Sequence, residues 1–179
     1  MPRTASVYER ELKGVLQGEP VALRRYGRLA STMEDLERLR RLQERPFLVV
    51  RAAGSFGFDL VALRDRLILP VEVKSSTQET IHFAAASGRA QAQFRALRAQ
   101  TLRAQLPLFY AFRRIGGPHM DPWRIFQADG GPTEGLWRLL GRHVPRVEVT
   151  SRGNQILRWE RGEPLLKFID WSLQVTGGS

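Results

Sequence analysis

Asp59, Glu72 and Lys74 are the side chains whose types and spacing could do chemistry together. Phe58 to Leu63 and Leu67 to Lys74 each read as a short strand rich in branched apolar residues, with Arg64, Asp65 and Arg66 at the turn between them. A turn centred between Asp65 and Arg66 pairs residues whose numbers sum to 131, which sets Asp59 opposite Glu72. Side chains alternate along a strand, so Glu72 and Lys74 share one face while Leu67, Leu69, Val71 and Val73 take the other. Carboxylates facing each other on neighbouring strands stand about 5 Å apart at Cβ and repel. A divalent cation turns that repulsion into attraction, and hard oxygen ligands suit Mg²⁺. A hairpin with one wet face has the same alternation, and there Glu72 and Lys74 would simply be solvated.

A wider pattern carries a resemblance. Gly54-Ser55 precedes Asp59, Glu72-Val73-Lys74 follows thirteen residues on, and Tyr8-Glu9-Arg10-Glu11-Leu12 lies near the N-terminus. Jointly these motifs resemble the archaeal-type Holliday-junction resolvases of the PD-(D/E)xK nuclease superfamily, over about residues 3–17 and 47–127. The resemblance implies a restriction-endonuclease-like α/β fold with a mixed central β-sheet flanked by helices. It also implies a homodimer that cuts branched DNA at four-way junctions in paired, symmetric fashion, as recombination and repair require. Residue by residue, it implies Mg²⁺ (or Mn²⁺ in its place) on Asp59 and Glu72, with Glu9 completing the acidic cluster. Lys74 would position or polarise the attacking water, and Ser55, Arg51 and Arg10 would contact phosphate or support the site. Two other readings stay open: a nuclease of the same superfamily acting on duplex or flap DNA, and a DNA-binding module without catalysis. Read locally, Ser6-Val7-Tyr8-Glu9 is also a capping box, and Glu34 and Asp35 are alternative helical carboxylates.

Composition narrows the partners. The chain has 179 residues, 42% of them apolar, which suits one folded domain over 1–179 with a real core. It has no cysteine, which excludes disulfides and thiolate zinc sites. No apolar run is long enough to span a bilayer and no signal-peptide core opens the sequence, so a cytoplasmic, nucleoid-associated protein is expected, or one of the host cytoplasm if viral. Net charge is +10, carried by 25 Arg against three Lys. A GC-rich genome accounts for a high Arg-to-Lys ratio but not for the sign, which points to nucleic acid rather than a membrane.

The elements that must position the site read as follows. Residues 6–17 form a helix buried through Tyr8, Leu12, Val15 and Leu16, and Gly18-Glu19-Pro20 ends it. The stretch from about 18 to 45 departs from the family as a helical insertion. Pro20 starts one helix there, and Ser31 or Thr32 caps another with Met33, Leu36, Leu39 and Leu42 on its apolar side. Phe47 to Ala52 is a buried strand, after which Gly54 and Gly57 surround Ser55. His82 falls in a loop beside the acidic residues. Ala84 to Gln105 is a long helix with Ala90, Phe94, Leu97, Thr101 and Ala104 as its stripe. Thr80 to Met120 holds six Arg and no acidic residue, which makes Arg89, Arg95 and Arg98 candidate DNA contacts. The dimer surface is expected around Phe94 and Leu108-Phe109-Tyr110. Residues 107–113 and 123–127 read as strands. Beyond about 129 a C-terminal extension offers a helix at 133–140 and a hairpin of 146–150 with 155–159. Its tryptophans suit core or interface anchors better than base stacking.

Overall fold

A computed structural model of the protein describes residues 3–30, 32–52, 57–84, 88–117 and 121–177, apart from the side chains of 3–6 and 177. Helix α1 (Arg3–Leu16) opens the chain, followed by the pair α2 (Pro20–Gly27) and α3 (Met33–Glu44). Strands β1 (Leu48–Arg51), β2 (Leu60–Arg64) and β3 (Leu67–Ser76) form a meander. Strand β4 (Thr80–His82) and helix α4 (Arg89–Arg103) then cross to β5 (Phe109–Arg114), which runs parallel to β3. Strand β6 (Trp123–Gln127) returns antiparallel to β5. The C-terminal part adds α5 (Gly135–Gly141), β7 (Glu148–Val149), β8 (Gln155–Arg158), β9 (Glu163–Pro164) and α6 (Leu165–Gly177).

The main sheet has the order β1-β2-β3-β5-β6-β9, with β3–β5 its one parallel pair; the remaining strands make a small sheet, β4-β8-β7. Period-two alternation splits the apolar side chains between two layers. Val49, Ala62, Leu69, Val71 and Val73 pack towards α1, α3 and α6 in one core. Tyr110, Phe112 and Phe126 pack towards Phe83 and the Phe94 side of α4 in the other. This is a mixed central β-sheet flanked by helices, consistent with the restriction-endonuclease-like type.

The hairpin register agrees with the turn-centred expectation: Leu60 pairs with Val71, Ala62 with Leu69 and Arg64 with Leu67. Asp65 takes φ 49° in that turn, a left-handed conformation that Asp tolerates better than most residues. Pro20 starts α2, and the Thr32 hydroxyl caps α3 by accepting the Asp35 N–H at 3.1 Å. The apolar side of α3 differs from expectation. Leu39 and Leu42 are buried, but Met33 is 80% exposed and Leu36 45%. A three-residue repeat drifts round the helix, so Met33 and Leu36 leave the face that meets α6, where Asp170 pairs with Arg41 at 3.0 Å and with Arg38 at 3.6 Å.

Two further differences concern the C-terminal part. His82 belongs to β4 rather than a loop, pairs in register with Ile156, and stays exposed. Helix α6 is not among the expected elements, although Leu165, Leu166, Phe168, Ile169, Ser172 and Leu173 are buried on one face of it and Lys167 and Gln174 are exposed on the other. The tryptophans beyond 129 are anchors: Trp137 packs partly buried against the core, Trp159 donates to the Pro122 carbonyl at 3.1 Å, and Trp171 stacks on His143 at 3.7 Å between centroids. Among the described residues no helix is long and apolar enough to cross a membrane.

Candidate active site

Asp59 lies immediately before β2, where its carbonyl accepts the Ala52 N–H at 3.0 Å and so ties it to the end of β1. Its Oδ2 accepts the backbone N–H of Val73 at 2.7 Å, which fixes the carboxylate against β3. Glu72 sits in the middle of β3 and is only 2% exposed, so the wet-face reading of the hairpin does not hold. The covering comes from across the parallel connection. Tyr110 of β5 is in register with Glu72, and Gln93 of α4 reaches down to it.

Glu72 Oε1 accepts from Lys74 Nζ at 2.7 Å and from Gln93 Nε2 at 2.8 Å. Lys74 Nζ also donates to Gln93 Oε1 at 3.3 Å, so the three side chains form a closed triangle. The second oxygen, Oε2, is buried without a donor among the described residues. A buried carboxylate oxygen with no partner is costly when charged. Burial accordingly pushes Glu72 up to about 7; Lys74 opposes the shift, and the neighbouring Asp59 carboxyl adds to it. Asp59 is also raised, first by burial and then by Glu9, against the hydrogen bond from Val73. Burial and the two carboxylates likewise push Tyr110 well above the ordinary phenol range.

Glu9 of α1 approaches from the other side of the sheet edge and is paired to Arg51 Nε at 2.9 Å. Its charge is felt by Asp59, but it does not converge with Asp59 and Glu72 on one point. Among the described residues no three acidic or histidine side chains form a group that could hold an ion. Glu34 and Asp35 are spent on Arg38, within α3.

The expected phosphate contacts are distributed unevenly. Arg89 and Arg95 are exposed on α4. Arg98 donates to the Asp129 carbonyl at 2.9 Å and anchors the chain after β6. Arg10 lines a cavity between α1 and α2. Ser55 lies outside the described residues. The surface expected to bind a second copy is corrected by burial: Phe94 is 3% exposed, Leu108 2% and Tyr110 1%. Phe94 stacks on Tyr110 at 5.7 Å between centroids, so these residues belong to the protein's own core beneath the site.

Gln93 is the site residue that the sequence reading missed. One signal could have found it: Gln93, Leu97 and Thr101 recur at four-residue intervals, which puts the glutamine on the buried side of α4.

No family model and no curated protein matches the chain. Among solved structures it is similar to the 1.6 Å structure of Hjc, a Holliday junction resolvase from the archaeal hyperthermophile Archaeoglobus fulgidus. The two share 18% identity over 73% of this chain and 96% of that one, with a TM-score of 0.41. Identity and overlap this low carry no functional argument on their own.

Proposed function

We propose that the protein is a metal-dependent endonuclease that cuts DNA at four-way junctions by phosphodiester hydrolysis. The observation that carries this reading is the buried Glu72 carboxyl, facing Asp59, with one oxygen lacking a donor among the described residues and Lys74 on the same strand face. Such an oxygen is stabilised either by a proton or by a cation. Mg²⁺ commonly uses one or two protein carboxylates and completes its shell with water and substrate oxygens, so a two-carboxylate site fits it without a third. Asp59 and Glu72 would hold the ion, with Mn²⁺ as a substitute, and Glu9 would stand outside the first ring of ligands. Bound there, the ion would neutralise charge at the scissile phosphate and make water more acidic.

The chain's own residues do the positioning. Val73 N–H locks Asp59, and Gln93 holds Glu72 and Lys74 in one plane of contacts. Lys74 brings a compact positive charge to the phosphate side of the site. Arg89 and Arg95 neutralise flanking phosphates, and Arg51 joins them if the substrate draws it from Glu9. Two matching cuts call for a two-fold dimer. With Phe94 buried, the partner surface falls instead on Leu48, Val50 and Ile68, which are 63%, 51% and 38% exposed and share strand parity with Asp59 and Glu72.

The test is incubation with Mg²⁺ and a labelled four-way junction, its component duplex, or a flap. Junction cutting into paired nicked duplexes supports the reading. Preferential cutting of duplex or flap would move the protein to another substrate class, and binding without cutting would leave a DNA-binding module. If six to ten phosphates are neutralised, affinity should drop by about 10³–10⁵ between about 50 and 200 mM salt. A flat salt response would refute nucleic acid as partner.

A further inference from the structure

Helices α1 and α2 enclose a cavity of about 420 Å³, within the size range that holds a small organic ligand. Its walls combine two chemistries. Val7 and Val21, 47% and 53% exposed, present apolar surface at the cavity, and the buried Tyr26 ring contributes to the lining. Arg10, Arg25 and Arg113 present three guanidinium groups to the same space.

Two carboxylates also line it, and Glu11 takes up the charge of Arg113. Glu11 accepts from Arg113 Nε at 2.9 Å and from Trp123 Nε1 at 3.0 Å, so it serves to orient Arg113. The Arg113 guanidinium also lies over the Tyr8 ring at 5.4 Å. Glu19 lies against Gly14, where an added Cβ would meet its Oε2 and the Ala22 Cβ at 3.1 Å each. Gly14 thus lets α2 close on α1 and form the wall. Arg25 is exposed and has no ion-pair partner among the described residues.

An apolar cleft edged by guanidinium groups suits a ligand with a flat, weakly polar body joined to an anion. Inorganic phosphate alone would leave the valine surface unused. A nucleotide uses both, with its base against Val7 and Val21 and its phosphate towards Arg25. The site's position identifies the source. Arg10 and Glu11 follow Glu9 directly in α1, and the charge of Glu9 reaches Asp59, so the cavity lies along the helix whose start neighbours the acidic pair.

We infer that the α1–α2 cavity receives one unpaired nucleotide of the DNA substrate, drawn out of the stack at or beside a branch point. This rests on nucleic acid being the partner, as proposed above. It gives helix α2 a role in substrate choice, since α2 supplies Val21, Ala22, Arg25 and Tyr26 to the cavity.

The experiment measures binding without metal, in EDTA, so that cleavage plays no part. A duplex carrying one unpaired 2-aminopurine is compared with the same duplex fully paired, for the wild type, Val21→Trp and Arg25→Gln. Both substituted side chains are exposed, and melting curves check that each variant folds. The wild type should bind the unpaired form about tenfold more tightly and raise 2-aminopurine fluorescence as the base leaves the stack. Val21→Trp should fill the cavity, abolish both effects and leave paired-duplex affinity within about twofold. Arg25→Gln should weaken the preference about threefold.

A wild type without preference, or a preference and fluorescence rise that survive Val21→Trp, would overturn the inference. A parallel titration with free deoxythymidine monophosphate separates the sources. Tight binding of the free nucleotide with no preference for the unpaired duplex would make this a small-molecule site and likewise overturn the assignment to a strand. The two proposals fail separately: cutting can persist with no cavity effect, and cavity-dependent binding can persist in a protein that cuts nothing.

Discussion

Two buried carboxyl groups in this protein face opposite circumstances. Asp121, ahead of β6, is fully employed: Oδ1 accepts from the Tyr26 hydroxyl and from Trp123 N–H at 3.0 Å, and Oδ2 accepts from Leu166 N–H at 3.0 Å. One side chain thereby joins helix α2, the sheet and the start of α6. Glu72 is 2% exposed, yet among the described residues one oxygen has no donor and the other depends on Lys74 and Gln93. Burial raises both groups, but at Asp121 it is countered by three hydrogen bonds, whereas at Glu72 a second carboxyl adds to it. A satisfied buried carboxylate holds a fold together. An unsatisfied one beside a second acid is a stability cost, and it marks a place where a ligand can supply what is missing.

The largest expected effect separates the two groups by activity. Asp59→Asn or Glu72→Gln should lower the rate of DNA cutting by more than about a hundredfold, equal to several kcal/mol of lost stabilisation, while junction binding stays largely intact. Asp121→Asn, assayed on the folded fraction, should cut within a few fold of wild type. Single-turnover cleavage measures both, and residual cutting within about tenfold in either site variant defeats the assignment.

Stability should show the reverse order. Asp121→Ala strands three donors and should cost about 3 kcal/mol or more, a drop of about 10 °C in melting temperature. Glu72→Gln should do the opposite, increasingly as pH rises above about 4.5. The folded protein holds the Glu72 proton more tightly than the unfolded chain does. Its contribution is therefore complete below about pH 4.5 and is lost as pH rises through about 7. In EDTA at pH 8 the glutamine variant should be about 1–2 kcal/mol more stable than wild type, and the gain should vanish near pH 4.5. Added Mg²⁺ should restore stability to the wild type at pH 8 and leave the variant unmoved; equal responses would show that the ion does not bind Glu72. The smallest effect is Tyr26→Phe, which removes one donor from Asp121 and should cost about 1 kcal/mol by urea melting.

The half of the site that lies on one hairpin was legible in the sequence. A two-residue turn between alternating apolar strands sets the register, and with it the pairing of Leu60 with Val71 that puts Asp59 beside Glu72. The capped helices between α1 and β1 were legible for similar local reasons. What covers Glu72 was not. Gln93 and Tyr110 arrive through the β3–β5 connection, and no local periodicity states which face of a strand a distant helix will cover. The stripe on α4 shows the same limit: Phe94 reads equally well as core or as partner surface, and only its stacking on Tyr110 decides. Helix α6 did carry a local signal, since Leu165, Leu166, Phe168, Ile169 and Leu173 recur at helical spacing opposite Lys167 and Gln174.

The hairpin register also has an evolutionary reading. The chain runs through residues 17–47 between α1 and β1, and continues well past Gln127 after β6, at points where length leaves the acid pair undisturbed. The five residues from Leu67 to Val71 have no such freedom. One residue gained or lost there, with the turn unchanged, would turn Glu72 and Lys74 towards α1 and bring Val71 or Val73 to the opposite face. Two residues would restore the face but move Glu72 by about 7 Å along the strand, away from Asp59. Substitutions in this segment are graded in their effect, but changes of length are all-or-none. Descendants of this chain can therefore vary the residues of β3 as long as they keep its count, and lineages that change the count should lose the acid pair altogether.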